Sequence, residues 1–330
     1  MPKPPPQDTL PSPAFVDAFT ACADAEQRMP FERFMQLALY HPQLGYYRGE
    51  RKRVGYGQGT DFFTASSTGA LFGELVHAAC RSLLSVNALS EYTFVEIGAE
   101  PSGGILASAQ HTFGAVRTIR VGEPLEIEGK CVVFSNELFD AQPFRRFRLS
   151  EGRWRELGVQ WIDGQLREIA LAPTTAELPA QLPTHAPEGY SLDLPLAATA
   201  LAKEIVSQPW TGLFIAFDYG KSWRELIEAQ PAGTARAYFR HQQSNDLLAR
   251  PGHQDLTCHV CWDWLADALR EGGFAQPTLE TQEAFLIRRA ADFMSSTVAA
   301  EAAHLSKRKL GLLQLLQQLG QKFQVLWGLR

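Results

Sequence analysis

Sparse cysteine, no basic excess and no long apolar run define what this chain is not. Cysteine occurs five times, at Cys22, Cys80, Cys131, Cys258 and Cys261. So odd and thin a set argues against a disulfide framework and points to a reducing, cytoplasmic compartment. Positive charge is short: 31 Lys and Arg stand against 36 Asp and Glu, a net of −5. Proteins that hold nucleic-acid backbone carry the opposite imbalance, so no nucleic-acid partner is expected. No apolar stretch reaches the ~18–20 residues that span a bilayer. The opening MPKPPPQDTLPSP has neither an apolar h-region nor an Arg-rich amphipathic face, and reads as a flexible lead-in over 1–12. The dinucleotide fingerprint G-x-G-x-x-G and the nucleophile elbow G-x-S-x-G are both missing. What remains is ample for a core: 45% hydrophobic and 11% aromatic over 330 residues. That excludes wholesale disorder and allows about two domain-sized units, or one large α/β domain with additions.

Ser12-Pro13 forms an N-cap and first-turn pair, which predicts a helix over 14–28. Phe31, Phe34, Met35 and Ala38 share one helical face, and that helix stops before His41-Pro42. Residues 44–69 are rich in Gly, Tyr and polar groups, the profile of a long functional loop. A third helix carries Phe72, Leu75, Val76, Ala79 and Leu83. Short apolar runs at 94–98, 131–135 and 212–218, with a weaker one at 116–121, read as buried strands. Helical stretches at 199–206 and 262–270 lie among them, the second ended by Gly272-Gly273. Strands alternating with helices imply a doubly wound, mostly parallel sheet covered on both faces. Alternation around Ser150-Glu151-Gly152 predicts a hairpin within 143–159. Residues 171–187, dominated by Pro and Ala, are a loop. The expected division is therefore a helical region at 13–90, an α/β core at 91–290 with the hairpin inserted, and a helical segment at 291–330.

Two constellations sit where such sheets bind ligands, beyond the carboxyl ends of the strands. One is a strand running into a glycine turn, Glu96-Ile97-Gly98-Ala99-Glu100-Pro101-Ser102-Gly103-Gly104. Its glycines let backbone approach a nucleotide-like ligand, and a following helix would offer free N–H groups. The other is Asn136, Glu137 and Asp140 directly after the 131–135 strand. Either is also compatible with ordinary loop and capping chemistry. The same holds for Asp61, Phe62 and Thr64 in the long loop, and for the segments 233–238, with His241, and 255–260. Cys258, Cys261, His253 and His259 do not repeat at zinc-ligand spacing, so no metal is expected.

In order along the chain, LALYHPQLGYY, TDFFTASSTGALFG, FVEIGA, FSNELFDAQPFRRF, LFIAFDYG, GTARAYFRH and PGHQDLTCHV resemble the MidA family of S-adenosylmethionine-dependent methyltransferases. That family includes a mitochondrial complex I assembly factor that methylates an arginine. The resemblance spans about residues 31–290, and QKFQVLWGL is similar to the family's last segment. It implies a class I, Rossmann-like methyltransferase fold with additional N- and C-terminal helical elements. It also implies S-adenosylmethionine as methyl donor and a protein arginine as acceptor. By position, Gly98, Ala99, Gly103 and Gly104 match the donor-binding turn, and Asp61, Phe62 and Thr64 match the loop that closes over it. Asn136, Glu137 and Asp140 match the N-E-x-x-D-A segment, and are the expected catalytic residues, with Asn136 also at the donor. Asp218, Tyr219 and Gly220 match its D-Y-G. The chain departs from the family at three places. Glu100, Pro101 and Ser102 interrupt the glycine turn, Thr64-Ala65-Ser66-Ser67 stands where the family has T-S-P-E, and only Glu123 is near the position of a ribose-binding acid. These departures keep a second function open: a methyltransferase-like protein that has lost catalysis and serves as a binding or assembly factor.

Overall fold

The computed structural model describes residues 9–48, 65–85, 89–101, 103–172, 178–301 and 306–330. Asp61, Phe62, Thr64 and most of the 44–69 loop lie outside them. The chain divides into two units, each assembled from three stretches of sequence. One unit comprises Met1–Arg51, Asp140–Ala198 and Lys221–Cys261, the other Lys52–Phe139, Thr199–Gly220 and Trp262–Arg330. This partition cuts across the expected divisions at 13–90, 91–290 and 291–330. Among the described residues, no helix is long and apolar enough to cross a membrane.

In the first unit, α1 (Pro13–Cys22) starts as expected, with Ser12 Oγ accepting the Phe15 N–H at 3.2 Å. It ends well short of residue 28, because Asp24 takes over the backbone: its Oδ1 accepts the N–H groups of Glu26 and Arg28 at 3.0 and 2.8 Å. Such an Asx-type turn competes with helix propagation. After α2 (Phe31–Tyr40), the hairpin pairs Arg145–Ser150 with Arg153–Ile162, and its two turn residues Glu151 and Gly152 have φ of 53° and 70°. These strands belong to a five-stranded sheet with Arg28–Pro30, Gln165–Ala170 and Ser191–Leu194. α2 buries Phe31 and Phe34 over that sheet's side of the unit, with Phe31 5.3 Å from Phe144 and Phe34 6.1 Å from Phe15.

The second unit holds a six-stranded sheet. Its strands are β1 (Thr93–Ile97), β2 (Ala115–Ile119), β3 (Gly129–Asn136), β4 (Trp210–Asp218), β5 (Thr278–Thr281) and β6 (Gln324–Leu329). The spatial order is β5-β6-β4-β3-β1-β2. β2, β1, β3 and β4 are parallel, and β6 runs antiparallel to both β4 and β5. β3 and β4 are almost continuously buried, the signature of strands covered on both faces. On one face α3 (Ala70–Leu84) packs Phe72, Leu75, Val76 and Ala79 against Phe94, Phe134 and Phe217. On the other, Phe274 lies 5.7 Å from Trp210 and 6.3 Å from Phe214.

Two expectations are corrected here. No helix follows the glycine turn: residues 105–108 form a turn, and 120–128 connect β2 to β3 without a regular element. The first connection spends Gly98, Pro101, Gly103, Gly104 and Gly114 on turns, and the second is short and broken by Gly122 and Pro124. Nor is 291–330 helical throughout. Its helices end at Gln318, and its strand, β6, lies between β5 and β4.

Candidate functional site

At the carboxyl end of β1 the chain makes its glycine turn. Gly98 has φ +81° and donates its N–H to the Ile119 carbonyl at 2.8 Å, so the turn begins with the parallel ladder still intact. A Cβ on Gly98 would lie 3.0 Å from Leu138 Cδ1. Gly104 is needed for a different reason. A Cβ there would lie 2.3 Å from Glu96 Oε2. Gly103, at φ +116°, donates to the Glu100 carbonyl at 3.0 Å and closes the turn across the interrupting residues. Ala99 is buried beside them.

Glu96 opens the glycine-turn motif, but the sequence assigned it no role. It is the penultimate residue of an otherwise apolar strand, 6% exposed, and its Oε2 accepts the Ile105 N–H at 2.7 Å. Burial pushes this carboxyl up to about 7, against a partial lowering by that hydrogen bond. An acid in a buried strand just before a glycine was the available signal. Glu123 also gains a place: its Oε2 accepts the Arg120 N–H at 2.7 Å, which sets the carboxylate at the carboxyl end of β2, one strand from the glycine turn.

β3 ends at Asn136. The next residue, Glu137, adopts φ +52° while its N–H reaches the Phe217 carbonyl at 2.8 Å. Left-handed backbone at a residue with a side chain is held only where the surroundings over-determine it. The next constraint is visible: Phe139 N–H donates to Asp218 Oδ2 at 2.9 Å, and Asp218 Oδ1 accepts the Tyr219 N–H at 2.9 Å. Asp218 is fully buried. The family's D-Y-G acid thus anchors the N-E-x-x-D segment. Asn136 Nδ2 donates to Glu137 Oε1 at 3.2 Å, while Asn136 Oδ1 and Ser135 Oγ are buried and find no partner among the described residues.

Asp140 falls in the first unit, 3% exposed. Its backbone carbonyl accepts the Cys258 N–H at 2.9 Å, and the neighbouring Ala141 carbonyl accepts the Tyr40 hydroxyl at 2.9 Å. Tyr40 stacks on Tyr47 at 5.5 Å, and the Tyr47 hydroxyl donates to Asp255 Oδ1 at 2.8 Å. Burial raises both phenols well above their ordinary range, and the Asp255 and Asp140 carboxylates add to the shift. The GYY and QDLTCH segments therefore build the bed on which Asp140 sits. In the same unit, Asp193 Oδ2 accepts the Thr234 and Ala235 N–H groups at 2.7 and 2.8 Å, which explains the GTARAY segment as structural. The structure brings Gly98, Ala99, Gly103, Gly104, Asn136 and Glu137 together at one end of the second unit's sheet.

In mostly parallel sheets, a glycine turn and polar groups at the carboxyl edge lie where nucleotide-type ligands bind. Comparison with known proteins names the family. Residues 69–278 match the family described as "Putative S-adenosyl-L-methionine-dependent methyltransferase", and the chain belongs to it. A crystal structure of a "likely methyl transferase" from Burkholderia thailandensis bound to S-adenosyl-homocysteine superposes with a TM-score of 0.80 at 25% identity, covering 98% of this chain and 95% of that one. A native structure of an uncharacterized protein of the same superfamily, also from Burkholderia thailandensis, gives a TM-score of 0.77, again at 25% identity and the same coverage. The zebrafish (Danio rerio) protein arginine methyltransferase NDUFAF7, mitochondrial, is 26% identical over 296 residues, 70% of this chain. The match spans 66% of that relative's length, just under two thirds. S-adenosylmethionine is the cofactor of this family. The residues present suit it: Ser135 Oγ and Asn136 Oδ1, buried and without a partner among the described residues, are polar atoms that a ligand would satisfy.

Proposed function

We propose that this protein is a class I, Rossmann-like methyltransferase that transfers the methyl group of S-adenosylmethionine to an arginine side chain of a protein. The single observation that carries the reading is the end of β3. There a strained Glu137 and an unpartnered Asn136 oxygen stand beside the Gly98 turn, held in place by Asp218. The sheet order, with one antiparallel strand inserted beside four parallel ones, supports the class I assignment. The zebrafish relative supports arginine as acceptor.

The sulfonium donor supplies an activated methyl group, so the protein's contribution is alignment and exclusion of water. Gly98, Ala99, Gly103 and Gly104 hold the donor's amino-acid end by backbone, and Asn136 Oδ1 accepts a hydrogen bond from donor or acceptor. Glu123 is the candidate to receive the ribose hydroxyls, and Asp61, Phe62 and Thr64 are assigned to donor binding by the resemblance alone. An arginine acceptor stays protonated in water, with a pKa above about 12. Glu137 orients its fork of N–H donors and offsets its charge while one nitrogen is directed to the methyl carbon. As the C–N bond forms the donor's C–S bond breaks, and the proton displaced from that nitrogen leaves to solvent. Asp140 is assigned to the acceptor by its position in the motif alone.

Titration calorimetry with S-adenosylmethionine and its demethylated product tests donor binding. Transfer of labelled methyl to an arginine-containing protein substrate tests the reaction. Glu137→Gln is expected to keep donor affinity and to lower transfer about 10²-fold. Unchanged transfer by Glu137→Gln refutes its role. A silent titration with both compounds favours instead a binding or assembly protein, the reading that the interruption by Glu100, Pro101 and Ser102 supports.

A further inference from the structure

The sheet of the second unit ends, on one side, in a strand left bare. Among the described residues β2 pairs only with β1. Ala115, Val116 and Arg117 are exposed, Val116 to 41%. Successive side chains point to opposite faces, so the first half of β2 is uncovered on both. The bond from Gly98 N–H to the Ile119 carbonyl fixes the phase of the ladder. Ala115, Arg117 and Ile119 direct their backbone groups at β1, and Val116 and Thr118 direct theirs away from the sheet. At the next outward position the Arg120 N–H is already taken by Glu123 Oε2. Val116 and Thr118 are both β-branched, the residue type that suits a strand. The opposite edge is furnished differently: in β5, Glu280 holds Arg288 and Trp327, and Thr281 caps the following helix.

An edge of this kind pairs with a second copy or with a foreign strand. Charge decides between them. Antiparallel pairing of two copies that uses both free residues sets Val116 of one against Thr118 of the other. Arg117 then faces Arg117 in a non-hydrogen-bonded pair, where side chains approach most closely. Like charges so opposed destabilise a sheet. Arg117 keeps its head group at this edge through a 2.5 Å bond from Nη1 to the Glu126 carbonyl, and the guanidinium has further donors to offer.

We propose that β2 is a docking strand for an extended segment of a protein partner, added antiparallel as one more strand, with an acidic side chain opposite Arg117. The partner is recognised by main-chain bonds to Val116 and Thr118 and by that one charge pair.

The test uses a fluorescein-labelled peptide of alternating Thr and Val around a central Glu, and a twin with Lys at the centre. Expected are saturable anisotropy, slowed hydrogen exchange at the Val116 and Thr118 amides, and about fivefold tighter binding of the Glu peptide. Arg117→Glu reverses the order of the twins. Val116→Pro removes an outward N–H without breaking a ladder bond, and weakens both. Equal binding of the twins, unprotected amides, or a dimer by light scattering that Val116→Pro dissociates would overturn the proposal. Should Val116→Pro not fold, Arg117→Glu alone decides. S-adenosylmethionine affinity, measured in parallel, stays at the wild-type value in both variants, which separates this test from that of methyl transfer.

Discussion

Asp218, at the end of one strand, accepts the backbone N–H of Phe139, three residues past the end of its neighbour, at 2.9 Å. A second backbone donor, Tyr219 N–H, fills its other oxygen. One buried carboxylate therefore sets the path of the segment that carries Asn136 and Glu137. A hydrogen bond to a charged group contributes about 1.5–3 kcal/mol, and leaving buried N–H groups unpaired costs a similar amount. Asp218→Ala is expected to lower stability by about 3 kcal/mol in urea unfolding and to weaken S-adenosylmethionine in calorimetry. Full stability in the variant would refute the anchor.

Arg146 supplies a second test, in the first unit. Its Nε donates to Asp193 Oδ1 at 2.9 Å and its Nη1 to Glu168 Oε2 at 2.5 Å, with the guanidinium 5.0 Å above the Phe31 ring. Both Arg146 and Asp193 are buried. Removing one partner strands an uncompensated charge, a loss of about 3–5 kcal/mol. Arg146→Met should show that loss in urea unfolding, and adding Asp193→Asn, which keeps an oxygen for the Thr234 and Ala235 N–H groups, should not double it, because the two effects are coupled through one network. Additive losses would show the ion pair to be dispensable.

What the sequence disclosed, and what it withheld, follows the range of the interactions. The spacing of Phe31, Phe34, Met35 and Ala38 located α2, and Phe72 to Leu83 located α3, because a buried helical face is written locally. Glu151-Gly152 located the hairpin for the same reason. The early end of α1 escaped because Asp24 captures N–H groups through side-chain geometry that periodicity does not register. β6 was hidden by the Leu/Gln-rich helices before it. A short apolar run does not say whether it is strand or helix until β4 and β5 flank it. At the site, the glycine turn, Asn136 and Glu137 were legible as motifs beside strands. The roles of Glu96 and Asp218 were not, since each depends on a partner brought close only by folding.

Glu96 makes stability depend on pH in a direction unusual for a carboxylate. Its folded value is about 7, against an ordinary 4.5. The folded state therefore holds this proton more tightly than the unfolded chain does. Stability from this group is highest below about pH 4.5, falls as pH rises between the two values, and is fully lost above about 7. The shift corresponds to roughly 3 kcal/mol. Glu96→Gln cannot ionise yet keeps an oxygen for Ile105 N–H. The urea midpoint of the wild type, measured relative to Glu96→Gln, should fall from pH 5 to pH 8. A constant difference would place the carboxyl's titration elsewhere.

Glu137 separates stability from function. Its φ of +52° is a conformation that glycine adopts without penalty and that costs other residues about 1–2 kcal/mol. Glycine returns part of that gain through its freer unfolded chain, about 0.4–1 kcal/mol. Its Oε1 accepts the Asn136 Nδ2 hydrogen bond at a long 3.2 Å. Glu137→Gly is therefore expected to leave the unfolding free energy unchanged or to raise it by up to about 1 kcal/mol. The same variant should lose methyl transfer by about 10²-fold, since the carboxylate that orients the guanidinium is gone. Urea unfolding and a labelled-methyl assay on one preparation read both quantities. A marked loss of stability with transfer preserved would mean that the backbone at 137 is held for packing, and that the acid has no part in the reaction.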